Sequence, residues 1–152
     1  MTKNDEILII YTSWYSDFIN EMTDAALERL ESVDCMIKSF KAPGSLEIAA
    51  LAKAKITSKT KGILALGTVI KGETSHYNLV SNETFRSLGQ LALDYPDISI
   101  INGVICVDNK DQLEKRCITT TINNADALIA VSYTHLRAHE TVLELVCRLL
   151  LE

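Results

Sequence analysis

The sequence predicts a parallel α/β sandwich, and three observations carry that prediction. Short apolar runs recur along the chain, and three of the four are continuous rather than alternating, as strands covered on both faces require. Segments with helical spacing separate those runs. The connections are long crossovers, which return the chain parallel to the preceding strand where a tight hairpin would reverse it.

The first run is ILIIY, Ile7–Tyr11. After Asp17, the residues Phe18, Ile19, Met22, Ala26 and Leu30 recur at three- and four-residue steps and predict an amphipathic helix. CMIKSF, Cys35–Phe40, alternates more than the others and reads as an edge strand. GILALG, Gly62–Gly67, is a buried run that stops at its second glycine. Beyond Ser75, Tyr77, Val80, Leu88, Leu91 and Tyr95 can share one helical face, which Pro96 closes. ISIINGVIC, Ile98–Cys106, is the fourth run, and Asn109 can cap a further helix holding Leu113 and Arg116.

The whole is 152 residues, 47% apolar and 23% charged, which suits one globular domain with a real core. A formal net charge of −5 argues against a nucleic-acid reader with a basic face. No apolar stretch reaches the roughly 18 residues that a membrane span needs. The start MTKNDEILII lacks the basic flank and apolar core of a signal peptide, so the expected location is the cytoplasm. Cys35, Cys106, Cys117 and Cys147 lie far apart, which reads as reduced thiols rather than a disulfide framework or a zinc site. The first 130 or so residues hold no dinucleotide fingerprint, Walker sequence or metal-ligand cluster, so neither cofactor nor metal is expected.

In a parallel sheet, ligands bind beyond the carboxyl ends of the strands. Four loops should therefore share one rim: TSWYSD, KAPGSLE, GTVIKGETSH and ICVDN. In the third, Gly67 and Gly72 would let the backbone turn, while Thr74 and Ser75 bring hydroxyls to a helix start with Lys71 nearby. That combination reads as a phosphate seat, with an ordinary glycine turn and hydroxyl cap as the competing reading. His76, in the first helical turn, is a candidate proton carrier. Trp14 and Tyr15 could stack on a flat heterocycle or simply pack on their own loop. Glu47 could accept hydrogen bonds from ligand hydroxyls or merely favour a helix dipole.

The segment ALGTVIKGETSHYNLVSNE closely resembles the signature of the 6,7-dimethyl-8-ribityllumazine synthase family. PGSLEIAALAK, YTSWYSDFI and NGVICVDNKDQLEKRC are similar to three further segments of that family, so the likeness runs from about Ile7 to about Cys117. The resemblance implies a flavodoxin-like three-layer α/β/α sandwich with a four-stranded parallel sheet. It implies a transferase of riboflavin biosynthesis that condenses 5-amino-6-(D-ribitylamino)uracil with 3,4-dihydroxy-2-butanone 4-phosphate, without metal or organic cofactor. It also implies self-association into pentamers, decamers or icosahedral shells of twelve pentamers, with sites between neighbouring subunits.

Carried onto matching positions, His76 is the proton-transfer residue and Tyr15 the ring that stacks on the pyrimidine. Ser45, Leu46 and Glu47 fall where the ribityl chain and ring are held; Thr68, Val69 and Ile70 lie along the pyrimidine. Glu73 and Thr74 stand at the phosphate turn, Asn102 near the pyrimidine, and Arg116 reaches the anion from an adjacent subunit. Leu46 replaces a usual Phe, Ala49 a usual Pro and Asn102 an often aromatic residue, while Asn124 stands about where a phosphate-binding lysine is usual. The family-like domain is thus expected over residues 1–131. From Ser132, residues 132–152 depart from the family and are similar to translated sequencing adaptor, which predicts a non-native helix packed on the same domain. Val142, Leu145, Val146 and Leu149 would form its apolar face, and His135 and His139, despite metal-compatible spacing, carry no functional weight.

Overall fold

The computed structural model describes residues 1–151, with side chains at residues 1–135, 149 and 150. The chain runs β1 (Glu6–Thr12), α1 (Ser16–Leu30), β2 (Met36–Ala42), a short 3₁₀ turn (Ser45–Glu47), α2 (Ile48–Lys55), β3 (Thr60–Ile70), α3 (His76–Asp94), β4 (Ser99–Val107) and α4 (Lys110–Leu151). The strands form one sheet in the order β2-β1-β3-β4, and every pairing is parallel.

Continuous apolar runs become central strands because both of their faces are covered. In β1, Ile7 and Ile9 pack toward α1 and α4, while Leu8 and Ile10 pack toward α2 and α3, and all four are fully buried. β3 repeats the division, with Leu64 and Leu66 on the first side and Ile63 and Ala65 on the second. Burial of each such Leu or Ile side chain is worth about 1.5–3 kcal/mol. The helices supply matching stripes: Ile19, Met22, Ala26 and Leu30 from α1, and Leu113, Cys117, Ala125 and Leu128 from α4. Ile48, Ala49 and Ala52 of α2 and Leu88 and Leu91 of α3 cover the other face. The result is the expected flavodoxin-like α/β/α sandwich, and the alternating β2 lies at the sheet edge as its pattern implied.

Two boundaries differ from the sequence expectation. β3 does not stop at Gly67 but continues to Ile70, because β4 extends beside it and pairs Thr68, Val69 and Ile70 with Ile105, Cys106 and Val107. Gly67 is a packing position rather than a turn. A Cβ there would come within 3.3 Å of both Ser45 Oγ and Thr12 Cγ2. Gly72 does leave the sheet, but no glycine among the described residues has positive φ.

The second difference is α4, one helix where the sequence predicts a helix after Asn109 and a separate tail helix. Its start is as expected: Asn109 Oδ1 accepts the Gln112 N–H at 3.0 Å, and Gln112 Oε1 accepts the Asp108 N–H at 2.8 Å. An Arg29–Asp126 ion pair ties it to α1. Ser132 is buried, and His135 Nδ1 lies 3.3 Å from Ser99 Oγ. Leu149, placed by the sequence reading on an apolar covering face, is instead 73% exposed. The side chains of His139, Val142, Leu145, Val146 and Cys147 lie outside the described residues. Among the described residues, Cys35, Cys106 and Cys117 are free thiols, and no helix is long and apolar enough to cross a membrane.

Candidate active site

The connections leave β1 and β3 in opposite directions along the sheet, so a crevice opens between their carboxyl ends. A cavity of 340 Å³ occupies that point. Its walls come from two loops and two elements: Trp14 and Tyr15 after β1, Gly44, Ser45, Leu46 and Glu47 after β2, Thr68, Val69 and Ile70 at the end of β3, and His76 and Val80 on α3.

Each wall has a local cause. Tyr15 precedes α1 in a left-handed backbone conformation, with φ 57° and ψ 54°, and is the one positive-φ residue other than glycine among the described residues. That conformation costs a non-glycine residue about 1–2 kcal/mol and lets the chain turn from strand to helix with the ring at the rim. Lys110 Nζ lies 5.7 Å from the ring centroid, a cation–π contact between the first loop and the start of α4. The loops after β1 and β2 are joined by Ser13 Oγ, which donates to the Pro43 carbonyl at 3.2 Å. Ser45 is buried against Gly67, whereas Leu46 and Glu47 project from the 3₁₀ turn into solvent at the cavity edge. Thr68 Oγ1 donates to the Trp14 carbonyl at 3.4 Å, which connects the end of β3 to the first loop.

His76 is the first residue of α3 and is exposed at the rim. Its backbone N–H donates to Thr74 Oγ1 at 3.3 Å, whereas the side chain of Ser75, the N-cap residue, makes no capping bond. Val80 lies one turn further along the same face and adds an apolar wall. Within the described residues, the imidazole and the carboxylates of Glu47 and Glu73 make no side-chain hydrogen bond. The polar groups of the rim are thus available to an occupant. Behind them, burial pushes the Tyr77 phenol and the Cys106 thiol above their ordinary values, so neither is ionised at neutral pH. Cys106, although level with Val69 in the sheet, is no nucleophile in that state.

The cavity therefore unites eight of the residues singled out from sequence: Tyr15, Ser45, Leu46, Glu47, Thr68, Val69, Ile70 and His76. Glu73 and Thr74 lie in the exposed loop that joins Ile70 to His76, beside the cavity but not in its lining. Asn102 and Arg116 are elsewhere. Asn102 pairs with Ala65 midway along β4, an edge strand of the sheet, and its Oδ1 accepts the Val104 N–H at 3.0 Å. Arg116 is exposed on α4. Trp14, weighed from sequence beside Tyr15 as a stacking surface, also lines the cavity, whereas Gly44 and Val80 join the wall without having been assigned from sequence. Val80 was legible in its four-residue spacing from His76, and Trp14 in its place beside Tyr15.

A sequence model of the family described as 6,7-dimethyl-8-ribityllumazine synthase matches residues 4–138. A protein of that name from Jannaschia sp. is 36% identical over 124 residues, covering 81% of this chain and 68% of the relative. A Rhizobium meliloti protein named 6,7-dimethyl-8-ribityllumazine synthase 1 is 35% identical, covering 78% of this chain and 80% of its own length. The Coxiella burnetii relative is 37% identical, with 74% and 77% covered. On the family match and these identities, the chain belongs to the 6,7-dimethyl-8-ribityllumazine synthase family.

Proposed function

We propose that this chain condenses 5-amino-6-(D-ribitylamino)uracil with 3,4-dihydroxy-2-butanone 4-phosphate to 6,7-dimethyl-8-ribityllumazine, releasing phosphate and water, as a cytoplasmic enzyme of riboflavin biosynthesis. The observation that carries the reading is the meeting of Tyr15, Glu47, Val69, Ile70 and His76 around one cavity at the switch point of the sheet. The uracil ring stacks on Tyr15 and lies along the end of β3, whose backbone offers amide groups to its polar edge. Ser45 and Glu47 take the ribityl hydroxyls. The phosphate sits at the loop before α3. Backbone N–H groups from Gly72 to Ser75 make no hydrogen bond within the described residues, and the helix dipole and Lys71 favour an anion there.

Attack of the 5-amino group on the ketone, loss of a first water, elimination of phosphate, and closure of the ribitylamino nitrogen onto the remaining carbonyl with loss of a second water each require a proton to move. The His76 imidazole, which makes no hydrogen bond among the described residues, carries those protons. Most of the acceleration comes from holding two substrates in one orientation, which saves the entropy of their encounter. Asn102 and Arg116 act in the site of a neighbouring copy within a pentamer, alone or stacked into a decamer or icosahedral shell. Their exposed or edge positions, away from the cavity of their own chain, support that division.

A second reading, a catalytically weak relative that serves as a scaffold, draws on one observation. Asn124, where an anion-holding lysine is usual in the family, is half-buried, with Nδ2 3.3 Å from where a Gly103 Cβ would stand. Mixing the purified protein with both substrates separates the two readings. Lumazine absorbance and released phosphate well above the spontaneous rate establish the enzyme. Ordered particles without that excess establish the scaffold.

A further inference from the structure

Trp14 is the chain's one tryptophan, and the mechanism above leaves it without a task. It lines the 340 Å³ cavity with Tyr15, and the same two residues line an adjoining hollow of 280 Å³ that includes Lys110. The aromatic pair is therefore a partition between two spaces. Its halves are held differently. Tyr15 has a left-handed backbone and a lysine over its ring, and it is 37% exposed. Trp14 is anchored through its carbonyl by Thr68, whereas its side chain makes no hydrogen bond within the described residues and is 67% exposed.

The indole lies beside a residue without a side chain. A Cβ on Gly44 would stand 3.8 Å from Trp14 Nε1 and 3.1 Å from Glu47 Oε2. The absent side chain leaves the indole N–H and the Glu47 carboxylate facing a common space at the cavity mouth. An indole with so much apolar surface in water gains most from a flat partner that covers it, and a conjugated heterocycle is such a partner.

We propose that Trp14 is a substrate-contacting residue that selects the flat ring, its indole covering the heterocycle from the open side of the cavity. This rests on the functional reading above and adds a specificity determinant to it. Trp14 discriminates between the two substrates: it contacts the ribitylaminouracil and leaves the butanone phosphate untouched.

The test pairs kinetics with the fluorescence of this single tryptophan. Trp14→Ala should raise KM for the ribitylaminouracil about tenfold, the size of one lost aromatic contact. KM for the butanone phosphate should stay within about twofold, and Trp14→Phe should recover most of the loss, because a smaller ring still stacks. In the unmodified protein, ribitylaminouracil alone should quench the tryptophan emission, and inorganic phosphate should not. Equal rises in both KM values, an unchanged uracil KM with no quenching, or a change of particle size in Trp14→Ala would overturn the assignment; the last would make Trp14 an assembly contact. Lumazine production with unquenched emission refutes this inference and spares the enzymatic reading. If no lumazine forms, the titration still decides: quenching by the uracil upholds the contact and its absence refutes it.

Discussion

The two ends of the sheet treat their polar side chains in opposite ways. At the amino-terminal end, Glu6 is 3% exposed and accepts from Lys38 Nζ at 2.6 Å and Thr57 Oγ1 at 3.0 Å. The Thr57 N–H in turn donates to Thr60 Oγ1 at 2.9 Å. One carboxylate thereby ties together the starts of β1, β2 and β3. At the carboxyl end, Glu47, Glu73 and His76 stand exposed, and within the described residues their side chains bond to nothing. Buried polar groups must be satisfied internally, whereas exposed ones remain solvated at no cost until a ligand replaces the water. The amino-terminal end is therefore a fastening and the carboxyl end a receptor, and substitutions should separate the two.

The largest effect belongs to the receptor end. His76→Ala should lower kcat about a hundredfold, the low end for loss of a proton-transfer group. An exposed side chain contributes little to folding, so the denaturant midpoint should not move measurably. A fall in kcat below about threefold would remove His76 from proton transfer. The fastening end should show the reverse. Glu6→Ala should cost about 2 kcal/mol, the scale of hydrogen bonds to a charged group, with turnover per folded molecule unchanged. The loss stays below that of a sealed ion pair because the Lys38 side chain is 42% exposed and can return to water. Urea unfolding at fixed protein concentration measures the first quantity. Loss of activity in a sample that is still folded would contradict the division.

How much of this could be read from sequence follows the same physical line. The central strands were legible because coverage on both faces leaves no choice but continuous apolar runs, and ILIIY and GILALG have them. β2 was legible as an edge because its alternation reflects half exposure. His76 at the head of α3 was legible from the change of period after Ser75. The role of Gly67 was not: a glycine that ends an apolar run looks like a turn, and only the approach of Ser45 and Thr12 reveals a packing glycine. The left-handed Tyr15 was equally hidden, since no local rule places a tyrosine there and the surrounding contacts override its preference. The unbroken α4 escaped because Thr119, Thr120 and Thr121 are weak helix formers, yet Thr121 is fully buried and its Oγ1 donates to the Cys117 carbonyl at 2.6 Å. Asn102 and Arg116 were assigned through resemblance alone, and a single chain does not bring them to its own cavity.

The smallest effect tests whether the charge of Glu6, rather than its shape, makes the fastening. Glu6→Gln keeps the outline and one acceptor but loses the charge-assisted bond, so it should cost about 1 kcal/mol at neutral pH. The hydrogen bond from Lys38 holds the Glu6 carboxyl below its ordinary value of 4.5, burial opposes that, and Thr57 adds a smaller lowering. Below 4.5 the unfolded chain takes up a proton at this position before the folded chain does, so acid favours unfolding. The stabilisation is thus fully present above that value and fades as pH falls through the lower, folded one. The stability gap between the wild type and Glu6→Gln should stay level from neutral pH to about 5 and close progressively below 4.5. Other carboxylates titrate alike in both proteins and cancel in the difference. A gap that stays constant into strong acid would mean that geometry alone holds the three strand starts together, and the contrast between a charged fastening and an open receptor would reduce to one of packing.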